Sequence, residues 1–425
     1  MTEYRTIPKK RRNIIKYFIF VFFIIPTIQT SGLTQVVGRV IPNPLGYSLL
    51  AFILSLPLLR SYSQRYGNLK GVVFAITLLI AYIFITFFST ITKTSLYETV
   101  TVFRHSHMQA LNLFILLPFM FTLSKEEINY TLRNIFKCLI IFIMLYLSNN
   151  LIYDWMGVKG NLIEDVGGAS MDRSIIGLPL LDPIWSALLI MYAIMKVPKV
   201  NKYLALILLA LIISFTRNTL FSTIIIAATI MMLTALKNPR NIERSFKITS
   251  LLLIVIAAIA ILMPDAINYW IAKISSTFND DLKHDIGTFA FRERLIENAI
   301  YAIRHDPLFG LGYVRDVAKG EYSIVMGGDT YIAPILWCEG WIGLILRSLP
   351  FILLGLSAFS NIFVRKRGYW LDIVIIASIV AMSVNYVQTK ALTNYTLILG
   401  ILILLKIKDN YDRKATDKSN INFLI

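Results

Sequence analysis

Charge is scarce in this sequence. Asp, Glu, Lys and Arg make up 16% of its 425 residues, against about 25% in a soluble domain. That is too little to cover a water-facing surface of this size, and it excludes a soluble protein carrying a single anchor. Cysteine is scarce too. Cys138 lies in an apolar block and Cys338 in a Trp-Cys-Glu-Gly stretch far along the chain, so there is neither a disulfide framework nor a metal knuckle. Of the four histidines, His105 and His107 form a His-x-His in a short outside loop. A metal would need a third ligand there, and interfacial histidines are the preferred reading; no metal is expected. Also missing are a phosphate-binding P-loop, a dinucleotide fingerprint and His-Glu-x-x-His. The glycines at 167–168 and 310–312 lack a strand–turn–helix setting. No cofactor is expected. The short alternating segments of a β-barrel are absent, as are internal repeats and low-complexity tracts.

What is present is apolar and comes in blocks. Hydrophobic residues reach 56%, with a mean hydropathy of +0.65, and many windows approach the ~20 residues a helix needs to cross a bilayer. Inside lipid every backbone polar group must be satisfied within the segment, so such blocks are helices. The pattern predicts helices near 14–30, 45–59, 71–91, 108–123, 135–153, 182–196, 203–215, 219–235, 248–264, 342–364, 370–387 and 391–406. The expected fold is all-α: one integral membrane domain over 1–425, with about twelve transmembrane helices. The start has the charge order of a signal peptide but no small-residue cleavage site, so it reads as an uncleaved first helix.

The net charge of +17 is an orienting charge rather than a nucleic-acid surface, because most basic residues flank apolar blocks. With a cytoplasmic N terminus, the segments at the start, 60–70, 124–137, 196–202, 236–247, 364–368 and the tail hold 27 of the 42 Lys and Arg residues. The positive-inside rule then makes both termini cytoplasmic. Two outer loops stand out. One, 154–181, is rich in Gly, Asp and Ser. The other, 265–341, is a long periplasmic loop with helical content, since Leu295, Ala299 and Ile303 recur at helical spacing. Loops of such length are usually functional or disordered. The stretch 407–425 reads as a flexible cytoplasmic tail.

Several outer-side residues are candidates for chemistry. Arg217 sits in a polar break between two apolar helices, where charge is costly and usually kept for a partner or substrate; the alternative is a topological marker. Arg292 and Arg294 open the loop helix, and two residues apart they do not share a face. Salt bridges to Glu297 or Asp285 are the alternative for each. Guanidinium groups bind phosphate bidentately, so several arginines at this boundary suit a lipid-linked pyrophosphate. Asp329, after Gly327-Gly328 and before an apolar stretch, is either a functional carboxylate or a helix N-cap. Glu339 is a second carboxylate, with a salt bridge as its alternative. Asp172 and Arg173 line a sugar groove or form a local ion pair.

The region 292–343 resembles the O-antigen ligase / O-antigen polymerase superfamily of bacterial membrane glycosyltransferases. The family's Arg stands fifteen residues before a Pro-Leu-Phe-Gly-x-Gly stretch, here Arg292 and Pro307-Leu308-Phe309-Gly310-Leu311-Gly312. Ligases then carry a His-Asn eleven residues before a Gly-x-x-Gly. Here Asp329-Thr330-Tyr331 and Gly340-Trp341-Ile342-Gly343 keep that spacing, with Asp in place of His. The Ser-Phe-Thr-Arg at 214–217 matches a third family feature.

The resemblance implies a surface-polysaccharide polymerase of the bacterial inner membrane, working on undecaprenyl pyrophosphate-linked glycans. Asp329, Arg217 and Arg292 would be catalytic, and Arg294, Arg173, Tyr331 and Glu339 substrate-binding. Membrane lipid, a chain-length regulator and a flippase are the implied partners, and no nucleic acid. The missing His favours polymerase over ligase. A lipid-linked sugar flippase is the rival from another class; it should show paired halves and charged mid-membrane helices. No repeat is present, and Arg347 is the notable mid-helix charge.

Overall fold

A computed structural model describes residues 7–30, 52–60, 69–106, 108–148, 159–160, 173–174, 182–195, 197, 200–213, 217–237, 243, 250, 254, 257, 261, 268, 271–272, 275, 288–314, 332–365, 368–384 and 395–414. Helices dominate them. The chain opens with α1 (Lys9–Ile19), which runs through a π-turn at Phe20–Ile24 into α2 (Ile25–Thr30). After a 3-10 turn at Leu56–Arg60 come α3 (Lys70–Ile91), α4 (Leu96–Ser106), α5 (Met108–Phe121) and α6 (Lys125–Leu147). Then follow α7 (Asp182–Ile194), α8 (Val200–Ile213), α9 (Arg217–Lys237), α10 (Thr288–Ala302), α11 (Ile332–Val364), α12 (Trp370–Val384) and α13 (Tyr395–Lys414). The described extended residues are a two-residue antiparallel pair inside the 154–181 loop, Lys159 opposite Ser174 and Gly160 opposite Arg173.

This is an all-α integral membrane protein. Among the described residues, α3, α6 and α11 are long and apolar enough to cross a bilayer, and shorter apolar helices lie within α5, α7, α8, α9 and α12. The core is one continuous apolar cluster. Helix α11 packs on α3, α12 and α10, α12 also on α9 and α7, and α13 on α5 and α6.

Polar contacts gather the segments that the charge count assigns to one side. Ser124 caps α6 by accepting from the Glu127 backbone N–H, and the Glu127 carboxylate accepts in return from the Ser124 N–H at 2.9 Å. That carboxylate also accepts from Arg11 Nε at 2.7 Å, which brings the start of the chain to the start of α6. Lys125 pairs with Asp412 at 2.7 Å. Arg365 clamps Asp409 with two bonds of 2.7 and 2.8 Å, while Lys237 donates to the Arg365 carbonyl at 2.9 Å. The start of the chain, 124–127, 237, 365 and 406–412 thus share one end of the bundle.

Four boundaries differ from expectation. The presumed outer loop carrying His105 is helix α4, built on Thr-rich local bonding such as Thr99 Oγ1 to the Ser95 carbonyl. Positions 268, 271, 272 and 275, counted in the long loop, are helical. So are 332–339, where Ala333 to Cys338 are buried in the bundle as the first part of α11. The tail does not begin at 407: α13 continues to Lys414, and Lys408 and Asp409 are buried by their ion pairs. Residues 415–425 lie outside the described residues.

Candidate functional site

Helix α11 breaks at Gly340, whose φ of 61° and ψ of −163° interrupt an otherwise helical run. Only glycine adopts such a conformation without strain. A break strands backbone groups that a membrane core cannot solvate, and here another part of the chain satisfies them. The stretch Pro307–Gly312 inserts into the gap. The Leu311 and Gly312 N–H groups donate to the Trp337 and Cys338 carbonyls at 2.7 and 3.1 Å. In return the Trp341 and Ile342 N–H groups donate to the Pro307 and Leu308 carbonyls at 3.0 and 3.1 Å. Tyr82 of α3 donates its hydroxyl to the Glu339 carbonyl at 2.6 Å. The two motifs that lie far apart in sequence are therefore one structural unit.

Glycine is required for that contact. A Cβ on Gly340 would collide with the Leu308 carbonyl, and one on Gly310 would lie 2.6 Å from the Gly340 nitrogen. Beyond the break, a Cβ on Gly343 would strike the Glu339 side chain, which uses that space to fold back along its own helix. Its carboxylate meets Arg347 through Nε at 2.7 Å and Nη2 at 2.5 Å, and both side chains are wholly buried. Tyr313, directly after the inserted stretch, donates its hydroxyl to Glu339 Oε1 at 3.0 Å. Burial, with the Glu339 carboxylate beside it, pushes the Tyr313 phenol well above its ordinary value, so it stays a donor. The Tyr313 N–H donates to Thr90 Oγ1 at 3.1 Å, at the far end of α3.

Helix α10 leads into this unit. Leu295 and Ala299 on it, and Ile303 just past its end, are buried, as the spacing predicts, and the helix packs on α11. Arg292 lies in the second turn of α10 and Arg217 is the first residue of α9. Arg294 is exposed. The helices bearing the two arginines have different main neighbours, α10 packing on α11, and α9 on α12 and α7. Arg173 pairs its backbone with Gly160. Asp329 and Tyr331 lie outside the described residues, just before α11. Glu339 was expected to bind substrate or to form a salt bridge. The structure gives it the salt bridge, with Arg347 as partner.

Sequence reasoning missed Tyr82, Tyr313 and the role of Arg347. One signal was available: an arginine in an apolar helix needs a carboxylate, and Glu339, two turns earlier, carries one. A cavity of about 360 Å³ lined by Ile7, Pro8, Ser124, Glu126 and Glu127 lies at the opposite end of the bundle and plays no part in this unit. No group of three or more potential metal ligands occurs among the described residues.

A comparison with curated proteins finds no match. A family model described as O-antigen ligase matches residues 203–333, a stretch that runs from α8 through Arg217, Arg292 and the inserted motif to Asp329 and the start of α11. The 203–333 region is thus similar to the O-antigen ligase family, and this likeness supports the kinship of that region with the O-antigen polymerase/ligase superfamily of membrane proteins.

Proposed function

We propose that this protein polymerises lipid-linked oligosaccharide repeat units for O-antigen or a related surface polysaccharide, in the bacterial inner membrane with both termini cytoplasmic. The donor is a growing glycan on undecaprenyl pyrophosphate, and the acceptor is one repeat unit on the same lipid. The acceptor hydroxyl attacks the donor's anomeric carbon as the bond to pyrophosphate breaks, and the hydroxyl proton passes to Asp329. Arg217 and Arg292 offset the charge that develops on the leaving pyrophosphate, with Arg294, Arg173 and Tyr331 contacting the substrates. A flippase supplying the substrates and a chain-length regulator are the expected partners.

The observation that carries this reading is the family match from 203 to 333, which spans both arginines and Asp329. The family description favours a second reading, transfer of the finished glycan to lipid A-core. Aspartate in place of the ligase histidine supports polymerisation instead, because a carboxylate coupled to the acceptor hydroxyl serves as a base. Deleting the gene and resolving the cell's surface polysaccharide on a gel tests the readings. A polymerase mutant leaves a single repeat on lipid A-core. Unligated lipid-linked chains would mean a ligase, and loss of all surface glycan a flippase.

A further inference from the structure

The inserted motif buries its glycines but not its large apolar residues. Leu308 and Phe309 are each 54% exposed. Beside them is Trp341, 39% exposed, because the backbone bonds from Trp341 and Ile342 to Pro307 and Leu308 hold the tip against α11 just after its break. Trp341 is the first of a row. Ile345, Ile352, Leu356, Phe359 and Phe363 are exposed as well. At 3.6 residues per turn all six fall within an arc of about 60° on one face of α11. A rise of about 1.5 Å per residue puts Trp341 and Phe363 about 33 Å apart, which matches a hydrocarbon core of about 30 Å. This stripe is the lipid-facing side of a membrane helix, and Arg365 with its ion pairs marks one end of it. Leu308 and Phe309 extend the stripe at the other end.

What surrounds the tip has the chemistry of a bilayer interface. Tyr301 is exposed, and the Arg304 guanidinium lies 4.0 Å over its ring while donating to His305 Nε2 at 3.1 Å. Trp and Tyr collect at headgroup level, and arginine keeps its head in the polar layer while its stem lies on apolar surface. Asp306, in the same turn, is exposed as well.

We propose that the tip of the motif, Leu308 and Phe309 with Trp341, is embedded in the bilayer leaflet at this end of the bundle, with Tyr301 and Arg304 at headgroup level. Membrane phospholipid is its occupant. The segment nominally outside the membrane is then a wedge whose glycines grip the broken helix and whose side chains grip the lipid. This rests on the membrane reading of the fold and not on the proposed reaction.

The test places a nitroxide at Phe309→Cys, and separately at Leu308→Cys, in a Cys138→Ala background reconstituted into phosphatidylcholine/phosphatidylglycerol nanodiscs. The background alone sets the baseline for the buried Cys338. Leu356→Cys serves as a lipid-facing reference and Lys9→Cys as a water-facing one. Relaxation by oxygen, which concentrates in lipid, is compared with relaxation by a water-soluble nickel chelate. The tip labels should have an oxygen-to-nickel ratio several-fold above that of Lys9→Cys and approaching that of Leu356→Cys. A ratio like that of Lys9→Cys means a tip in water, and insensitivity to both reagents means a tip covered by protein; either overturns the proposal.

Discussion

Glu339 and Arg347 carry charge into a helix whose other buried residues are apolar, and each is tolerated only because the other is there. Removing one partner of a buried pair strands the remaining charge and costs about 3–5 kcal/mol. Arg347→Ala should therefore lower the thermal unfolding midpoint in detergent sharply. Replacing both charges, as in Glu339→Gln with Arg347→Met, should recover most of the loss, since neutral groups of similar volume remove the desolvation cost. Equal destabilisation of the single and the double variant would deny the pair this role. Asp329 poses a different question at the same scale. Asn caps a helix about as well as Asp, so Asp329→Asn should leave stability unchanged. As the proposed base its loss should cut polymerisation by about 10²–10⁴-fold, and Asp329→Ala should fail as well. Polymer length distributions check this; normal polymer from the Asn variant would leave the aspartate a cap. Arg217→Ala and Arg292→Ala should abolish polymer at normal protein level, with Lys only a partial substitute because a point charge does not reproduce the bidentate fork. Arg294→Ala should be milder.

At the scale of the element, the broken helix α11 and the 307–312 insert are a single object, and its glycines are not equivalent to others in the chain. Ala at Gly340 must adopt a left-handed conformation, costing roughly 1–2 kcal/mol, and it also collides with the Leu308 carbonyl. Gly340→Ala should therefore expel the insert, lower stability and abolish function together. Gly343→Ala should act through Glu339, displacing its carboxylate from Arg347. Gly355 lies on the same helix but a Cβ there would only touch Ile379 at 3.6 Å. Gly355→Ala should be neutral or stabilising by up to about 1 kcal/mol, since Ala is the better helix former. Unfolding midpoints of the three variants, measured side by side, check the contrast. The spacing of the two motifs was readable from sequence. Their hydrogen bonds were not, because a backbone contact to a kinked helix leaves no side-chain signature beyond glycine itself.

For the whole molecule, the positive-inside pattern implies that the 236–247 segment is cytoplasmic and the 265–341 region external. The bonds of Arg11 to Glu127, Lys125 to Asp412 and Lys237 to the Arg365 carbonyl gather the same basic segments at one end. They fix which segments share a side and leave in or out to the charge rule. Asn241→Cys, in a chain lacking Cys138 and Cys338, should not react with an impermeant thiol reagent added to intact cells. Labelling from outside would invert the topology and with it the placement of the proposed site.

Composition and block length by themselves determined that this chain is an all-α membrane protein, because lipid leaves the backbone no other means of satisfying its polar groups. The 3.6-residue spacing of Leu295, Ala299 and Ile303 likewise determined the buried face of α10 and of the residue that follows it. Glycine spacing at 310–312 and 340–343, with Arg292 and Asp329, was enough to point to the family. Only the tertiary structure decided where helices end. The stretch 332–341 reads as loop because Glu339 and Gly340 interrupt its apolar run, yet 332–339 are helix and only Gly340 breaks it, since Arg347 neutralises the one and the Leu308 carbonyl lies against the other. Local sequence holds the charge and the break, and their compensation comes from residues two turns or a whole loop away.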